Sequence, residues 1–127
     1  MKGLNDMTPI KKIVNGVTTY TKNGRYHRED GPAIIWKDGT SQWYFNGKKH
    51  RDDGPAIDLK NVKIWYKNGK KHRDDGPAEI YSNDEYFWWN DGNNITEEVN
   101  EWILTNNVVD YKEWTNKEIA MFKLKFL

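Results

Sequence analysis

A heptapeptide that combines histidine, arginine and paired acids occurs three times in the chain. It reads His-Arg-Glu-Asp-Gly-Pro-Ala from His27, and His-Arg-Asp-Asp-Gly-Pro-Ala from His50 and again from His72, at offsets of 23 and 22 residues. Imidazoles beside carboxylates are the groups used for general acid–base catalysis and for binding metal ions. These residues could therefore serve a reaction, a metal site or the fold itself.

The three histidines are too widely spaced to share one metal ion. Equivalent side chains on adjacent hairpins would lie roughly 10 Å apart if two strand spacings separate them, whereas zinc needs its imidazole nitrogens at about 2.0–2.1 Å. We therefore predict no metal site and no cofactor. We interpret His27, His50 and His72 as structural residues, each hydrogen-bonded to a turn carbonyl or to an acid of its own motif.

The paired acids do not have the spacing of a calcium loop. Calcium loops place oxygen ligands at alternating positions, but here two acids are adjacent and Gly-Pro follows them. We predict that the second acid of each pair caps the Gly-Pro turn through an Asx-type bond, as Asp30, Asp53 and Asp75. The sequence also contains no phosphate-binding loop, nucleophile elbow or His-Glu-x-x-His stretch. We therefore predict that the protein is not an enzyme.

The composition is almost neutral and free of cysteine. The chain has 20 Lys and Arg against 19 Asp and Glu, and no Cys. A duplex-binding protein usually carries a positive excess, and a bilayer span needs about 20 apolar residues in a run. We therefore expect neither duplex nucleic acid nor membrane as a partner. The N-terminus lacks the apolar region of a signal peptide, which favours a cytoplasmic location.

The residues between the motifs predict strands joined by tight turns. Each motif leads into a short apolar strand, then a turn and an aromatic strand, which are Trp43-Tyr44-Phe45, Trp65-Tyr66-Lys67 and Phe87-Trp88-Trp89. Asn-Gly follows the first two at Asn46-Gly47 and Asn68-Gly69, and this pair between apolar runs is the strongest short-range hairpin signal. Residues 13–20 match residues 36–43 position for position, which indicates a degenerate fourth unit at the N-terminal end.

Alignment of the units predicts three aromatic rows. Trp36, Leu59 and Tyr81 form one, and Trp43, Trp65 and Phe87 form another. Because side chains alternate between the faces of a strand, Tyr44, Tyr66 and Trp88 are expected on the face opposite the second row. One face should pack inward, and the other should be covered by the C-terminal segment or offered to a partner.

The pattern changes to helical spacing after Asn93. Thr96 is a candidate N-cap, and Glu97 and Glu98 follow it in the first helical turn. Thr115 and Glu118 form a capping box. Apolar residues at helical spacing follow both starts, including Val99, Trp102 and Ile103 in the first segment and Ile119, Phe122 and Phe126 in the second. We predict two short helices that cover the exposed end of the repeat stack.

These observations together predict a mainly β fold. We expect an antiparallel meander of about four β-hairpin repeats of about 22 residues, with a short C-terminal helical cap. The repeat region is assigned to residues 1–94 and the helical cap to residues 95–127.

The aromatic-Tyr-x-Asn-Gly-Lys pattern, as in Trp43–Lys48 and Trp65–Lys70, resembles MORN-type repeats. Those repeats are short β-hairpin units that stack into an elongated antiparallel sheet, and the resemblance covers roughly residues 10–92. The added His-Arg-x-Asp-Gly-Pro-Ala element resembles a variant found in proteins of bacteriophages, large DNA viruses and some bacteria. Since MORN-type proteins mostly act as binding modules, scaffolds or membrane-associated adaptors, the resemblance implies binding but does not indicate a particular ligand.

The expected function is therefore non-catalytic binding of another protein. The resemblance suggests a phage or viral accessory protein that blocks a host factor in the host cytoplasm. The alternative is a protein that binds or sequesters a small nucleotide-like anion, in which arginine forks and tryptophan faces cooperate. The oligomeric state is left open. The expected binding residues are arginines of the motifs and rings of the aromatic strands: Arg28, Arg51, Arg73, Tyr44, Trp65, Tyr66 and Trp88.

Overall fold

The computed structural model describes residues 8–127 and shows short strands followed by two α-helices. The strands are β1 (Ile10–Val14), β2 (Val17–Lys22), β3 (Arg25–Tyr26), β4 (Ile34–Ile35), β5 (Ser41–Gln42), β6 (Tyr44–Phe45), β7 (Lys48–Lys49), β8 (Ile57–Asp58), β9 (Val62–Ile64), β10 (Tyr66–Lys67), β11 (Lys70–Lys71), β12 (Glu79–Tyr81), β13 (Tyr86–Phe87), β14 (Trp89–Asn90) and β15 (Asn93–Asn94). The helices are α1 (Thr96–Thr105) and α2 (Asn116–Phe126), with a 3₁₀ turn at Tyr111–Glu113 between them. None of the described helices is long and apolar enough to cross a lipid bilayer.

The strands form one antiparallel meander with small hairpins beside it. The main sheet has the order β1-β2-β4-β5-β8-β9-β12-β13, with β3 paired to β2. The pairs β6-β7, β10-β11 and β14-β15 form separate two-stranded hairpins. The predicted fold, a mainly β antiparallel meander of hairpins with a C-terminal helical cap, is confirmed. Residues 1–7 of the predicted repeat region lie outside the described residues.

Each aromatic strand is joined to the motif that follows it by two backbone hydrogen bonds. The His50 N–H donates to the Trp43 carbonyl at 3.2 Å, and the Trp43 N–H donates to the Ala56 carbonyl at 2.6 Å. The turn between them has positive φ at Asn46 (49°) and Gly47 (81°). This is the type I′ turn that Asn-Gly predicts. Type I′ turns are favoured in two-residue hairpins because their twist matches that of the flanking strands.

The last repeat is offset by one residue from its predicted alignment. The Ile95 N–H donates to the Trp88 carbonyl, as the His72 N–H does to the Trp65 carbonyl. Trp88, and not Phe87, is therefore the counterpart of Trp43 and Trp65. The offset arises because the preceding turn is one residue longer.

The longer turn is visible in its closing hydrogen bond. The Tyr81 N–H donates to the Glu85 carbonyl, whereas the equivalent bond in the previous unit joins Leu59 to Val62. Asp91 (φ 48°) then occupies the turn position held by asparagine in the earlier units. The predicted row of Tyr44, Tyr66 and Trp88 is therefore wrong in its last member, whose place is taken by Trp89.

The sheet is thin and its buried side chains are small. Ala33, Ala56 and Ala78 have no exposed surface. Their carbonyls accept hydrogen bonds of 2.8, 2.6 and 2.7 Å from the backbone N–H groups of Tyr20, Trp43 and Trp65. Ile34 and Ile57 follow the first two alanines and are also buried. The repeats therefore provide little aliphatic core, and the two largest fully buried side chains, Trp88 and Phe122, lie where the last repeat meets the cap.

Aromatic rings from the last repeat and the helices form the core of the cap. Trp88, Val99 and Phe122 are fully buried, and the Trp88 ring centroid lies 5.1 Å from Phe122 and 5.2 Å from Trp114. Glu118 Oε1 accepts from the Thr115 N–H at 2.8 Å, which confirms the predicted capping box at the start of α2. The two predicted helices thus cover the C-terminal end of the sheet.

Thr96 closes the repeat stack instead of capping its helix. The N-cap of α1 is Ile95, so the predicted capping role of Thr96 is wrong. Its Oγ1 accepts from the Trp88 N–H at 2.9 Å. In every earlier unit this N–H donates to the alanine carbonyl of the next motif. The threonine hydroxyl therefore takes the place of a backbone acceptor at the end of the array.

We expect the Thr96→Val variant to lose about 1–2 kcal/mol of unfolding free energy. Valine keeps the shape of threonine but removes the acceptor, which leaves the backbone N–H of Trp88 buried without a partner. The measurement is urea unfolding followed by tryptophan fluorescence, with Thr105→Val on the exposed end of the same helix as the control. The control should change stability by less than about 0.5 kcal/mol. Equal effects of the two substitutions would contradict this role.

Candidate functional site

The motif histidines connect each repeat to the next one. Nδ1 of His27, His50 and His72 accepts from the backbone N–H of Asn46, Asn68 and Asp91 at 2.9, 3.0 and 3.0 Å. The histidines therefore bind turn N–H groups of the following hairpin, and the predicted bond to a turn carbonyl is wrong. A ring nitrogen that accepts from an amide carries no proton, so the proton of the neutral ring is on Nε2.

The second ring nitrogen faces an acid in two of the motifs. His50 Nε2 lies 3.0 Å from Asp52 Oδ1, and His72 Nε2 lies 2.5 Å from Asp74 Oδ1. In the first motif His27 is buried instead against Phe45, with ring centroids 4.6 Å apart. The hydrogen bond to an acid of the same motif is as predicted, and together these contacts hold each histidine in one orientation.

Each motif arginine lies over an aromatic ring of the strand that precedes its motif. The Arg51 guanidinium lies 4.1 Å from the Trp43 ring centroid, within the range of cation–π attraction. Its Nε donates to Asp53 Oδ1 at 2.9 Å and its Nη1 donates to the Pro55 carbonyl at 3.1 Å. We call this arrangement the arginine latch, because it ties both ends of the motif to the aromatic strand.

The same latch occurs in all three motifs. Arg28 lies 4.1 Å from the Tyr20 centroid and Arg73 lies 4.0 Å from the Trp65 centroid. Their Nε atoms donate to Asp30 at 3.1 Å and to Asp75 at 2.8 Å. Two of the five N–H donors of each guanidinium are therefore used within the protein. The arginines predicted as binding residues serve the fold first.

The second acid of each motif holds the arginine in place. The described hydrogen bonds of the side chains of Asp30, Asp53 and Asp75 are to the arginine Nε atoms, so the predicted Asx-type cap of the Gly-Pro turn is wrong. The hydrogen bond from Arg51, with its positive charge, lowers the pKa of Asp53 below its usual range. Because the folded-state pKa is depressed, this contact stabilises the fold above the unfolded-state pKa and the stabilisation is lost as the pH falls.

The latch explains the glycine of each motif. A Cβ added to Gly54 would lie 2.8 Å from Cζ of Arg51, and additions to Gly31 and Gly76 would meet their arginines at 2.6 and 2.9 Å. None of these glycines has positive φ. Glycine is therefore needed here because the guanidinium crosses the backbone, and not because of an unusual dihedral angle.

Two equivalent grooves lie between consecutive motifs, and we call them the motif grooves. The first has a volume of about 600 Å³ and is lined by Arg28, Glu29, Asp30, Trp43, Phe45, His50, Arg51, Asp52, Asp53 and Asn68. The second has a volume of about 550 Å³ and is lined by Arg51, Asp52, Asp53, Gly54, Pro55, Trp65, Lys67, His72, Arg73, Asp74, Asp75 and Lys123. The repeat thus generates the same concave feature twice on one face.

The carboxylates of the motifs are the exposed charged groups of the first motif groove. The side chains of Asp30, Asp52 and Asp53 are 87%, 81% and 79% exposed, whereas Arg28 and Arg51 are only 23% and 22% exposed. In each arginine latch, one oxygen of the second acid accepts the hydrogen bond from arginine Nε, and the other lone pairs of that carboxylate face solvent. A partner that enters the first motif groove therefore meets exposed carboxylates beside the rings of Trp43 and Phe45. The second motif groove presents Asp52, Asp53, Asp74 and Asp75 together with the exposed lysines Lys67 and Lys123.

The predicted binding residues do not all reach the same surface. Trp65 lines the second motif groove. Tyr44 and Tyr66 lie on the opposite face of the hairpins, where Tyr44 contacts Tyr26 at 5.3 Å and Tyr66 lies 5.0 Å from Lys49 Nζ. Trp88 is fully buried, so its prediction as a binding residue is wrong. It is a core residue because the helices cover its position in the last unit.

A buried acid on this opposite face was not predicted. Glu79 occupies the place of Ile34 and Ile57 in the earlier repeats and is equally buried. Its carboxylate accepts from the Trp89 indole at 3.0 Å and from Lys71 Nζ at 3.3 Å, and it also accepts from the Tyr81 hydroxyl. The hydrogen bond between the Tyr81 hydroxyl and Glu79 is the main cause of the raised pKa of Tyr81. The signal in the sequence was the single acid at a position that is otherwise isoleucine.

Comparisons with known proteins give no independent identification. Nothing matches the chain among protein-family models, curated proteins or solved structures. The resemblance to MORN-type repeats therefore stays a prediction. Within residues 8–127, no three His, Asp or Glu side chains are grouped so that they could hold a metal ion.

Proposed function

We propose that the protein is a non-catalytic binding module whose motif grooves receive basic side chains of a partner protein. The observation that supports this most is the repeated groove, in which exposed carboxylates surround an aromatic floor. An arginine or lysine of the partner would place its charge against Asp52 and Asp53 and its aliphatic stem against Phe45. Phe45 is 40% exposed and available for that contact.

The arginine latch makes catalysis by the motif a poor alternative. Each histidine uses Nδ1 on a backbone amide, so this nitrogen is not free to accept a proton from a substrate. The latch acids are likewise held by their arginines. General acid–base chemistry requires a group that can reach and exchange a proton with the substrate, and these groups are committed to the fold.

The nucleotide-like anion is the second candidate function. It is favoured by Lys67 and Lys123, which line the second motif groove beside Trp65. It is opposed by the carboxylates of Asp52, Asp53, Asp74 and Asp75 in the same groove, because like charges repel a phosphate. The first motif groove has four carboxylates and two arginines among its lining residues. We therefore prefer a cationic partner for both.

The biological role that we propose follows from the resemblance to viral proteins. A small repeat module with a charged, concave face fits an accessory protein that covers a basic surface of a host factor. The proposed location is the cytoplasm, which for a viral protein is that of the host. Specificity would come from the spacing of the motif grooves, which is fixed by the repeat.

The test is binding of a labelled peptide with alternating arginine and serine, measured by fluorescence anisotropy. The test variant is Glu29→Gln/Asp52→Asn/Asp74→Asn, which changes the first acid of every motif and leaves the arginine latches intact. The matched control is Glu97→Gln/Glu98→Gln/Glu101→Gln, which alters the same amount of charge at exposed positions of α1.

We expect the motif variant to weaken peptide binding at least about tenfold and the control to have little effect. Equal loss in both variants would contradict the proposal, because it would indicate general electrostatic attraction. The anion alternative is tested with adenosine triphosphate in a thermal unfolding assay. Only that alternative predicts a rise in the melting temperature, since a ligand of the native state stabilises by mass action.

A further inference from the structure

We propose that the outer edge of β1 is a second binding surface, which takes an extended acidic segment of another protein as an added strand. β1 is the first strand in the order of the main sheet, and β2 is its neighbour among the described residues. The cap covers the other end of the sheet, where Tyr86 of β13 contacts Tyr111 at 5.0 Å. One end of the main sheet is therefore covered by the helical cap, whereas no described element covers the outer edge of β1 at the other end.

The hairpin geometry determines which backbone groups face outward. Val14 is paired with Val17 across the two-residue turn at Asn15 and Gly16, which has φ of 52° and 80°. In such a hairpin the closing pair is hydrogen-bonded, and hydrogen-bonded pairs alternate with pairs that are not. Val14, Lys12 and Ile10 thus bond to β2, and the N–H and C=O groups of Lys11 and Ile13 point away from the sheet.

The side chains of this strand are unusually exposed for their type. Ile10, Ile13 and Val14 are 60%, 65% and 60% exposed, and the other two residues of β1 are exposed as well. An edge strand with free backbone groups and apolar side chains is a template for another strand. Pro9 has no N–H group and the turn follows Val14, so the available edge is limited to about five residues.

Charge identifies the occupant of this edge. Lys11 and Lys12 are adjacent at its centre, and among the described residues neither forms an ion pair. A second copy paired about Lys12 would place the two Lys12 side chains directly opposite each other, and like charges in that position are destabilising. An incoming strand with acids opposite Lys11 and Lys12, and aliphatic residues opposite Ile10, Ile13 and Val14, satisfies both the charge and the apolar surface.

This surface is independent of the motif grooves, which attract the opposite charge. The probe for β1 is a labelled peptide with the core Val-Val-Glu-Glu-Val, which in the antiparallel direction places its acids opposite Lys12 and Lys11. The matched control peptide is Val-Val-Lys-Lys-Val. Binding is measured by fluorescence anisotropy, and the protein amides are followed by ¹⁵N NMR.

We expect the acidic peptide to bind and to shift and protect the Lys11 and Ile13 amides, while the lysine peptide does not. Ile13→Pro should weaken binding at least about tenfold, because proline removes an outward N–H and leaves the bonds between β1 and β2 intact. Ile13→Thr keeps that N–H and should retain most of the affinity. Lys12→Glu should weaken binding to a similar extent as Ile13→Pro.

Three results would overturn this proposal. The first is absence of binding by the acidic peptide, and the second is equal binding of both peptides. The third is a concentration-dependent dimer of the unliganded protein, in analytical ultracentrifugation, that Ile13→Pro abolishes, since the edge would then belong to a second copy. A failure at β1 does not affect the arginine–serine peptide assay, so the two proposals can fail separately.

Discussion

The Phe122→Ala variant is expected to lose about 3–5 kcal/mol of unfolding free energy, the usual cost of truncating a buried aromatic ring. Phe122 is fully buried at the junction of α2 with the last repeat. Its ring centroid lies 5.1 Å from Trp88 and 5.3 Å from Phe126. Alanine at this position leaves a cavity beside Trp88 that rigid neighbouring rings cannot fill.

Urea unfolding with tryptophan fluorescence measures this loss, and the same helix provides the control. Leu124 is 90% exposed, so Leu124→Ala also truncates a large apolar side chain but leaves no buried cavity, and it should change stability by less than about 0.5 kcal/mol. Because marginal domains have only about 5–15 kcal/mol in total, the Phe122 variant should also expose the end of the sheet. If both variants unfold at the same urea concentration, the helical cap does not stabilise the repeats.

The second large effect is expected when the motif glycines are replaced. Gly54→Ala should cost about 2 kcal/mol, because the new Cβ displaces Arg51 from the Trp43 ring and breaks its bonds to Asp53 and Pro55. The triple variant Gly31→Ala/Gly54→Ala/Gly76→Ala disrupts all three arginine latches. Its expected cost is about 6 kcal/mol if the separate motifs contribute additively.

A double-mutant cycle separates this cause from a general effect of alanine. In an Arg51→Ala background, Gly54→Ala has nothing to displace and should be neutral or stabilising by about 0.4–1 kcal/mol, because alanine restricts the unfolded chain. The sign of the Gly54 effect thus reverses between the two backgrounds. Equal destabilisation in both would show that the backbone at Gly54, and not the guanidinium, requires glycine.

The fold could be predicted because its signals are local and repeated. Asn46-Gly47 and Asn68-Gly69 require positive φ at both positions, and only a type I′ hairpin satisfies that in this context. The capping box at Thr115 and Glu118 is also local. The register of the last unit could not be predicted in the same way, since Asn90, Asp91 and Gly92 allow two placements and the longer turn at Glu85 decides between them.

The contacts of the motif depend on stacking, which a single unit does not reveal. The sequence indicated that His50 is structural, but its partner, the Asn68 amide, belongs to the next hairpin and is reached only in the assembled sheet. The role of Arg51 was missed for a similar reason. An arginine near a tryptophan is equally compatible with binding an anion, and only the position of Gly54 beneath the guanidinium distinguishes the latch.

The burial of Glu79 depends on contacts across the sheet. Its partners Lys71 and Trp89 are 8 and 10 residues away in the chain, and none of them forms a recognisable motif. Trp88 was placed on the surface because the sequence does not show which ring the cap covers. At Trp88 the last repeat differs from the others because it adjoins the helices.

The hydroxyl of Thr96 has a consequence for how such a protein can change in size. Since this oxygen takes the place of the acceptor that a following unit would have supplied, residues 88–127 end the array at the point where another motif would continue it. A gene duplication upstream of it would lengthen the molecule by one hairpin and one additional concavity, with no new surface to design. Copy number would then set the length of the array and the number of its motif grooves.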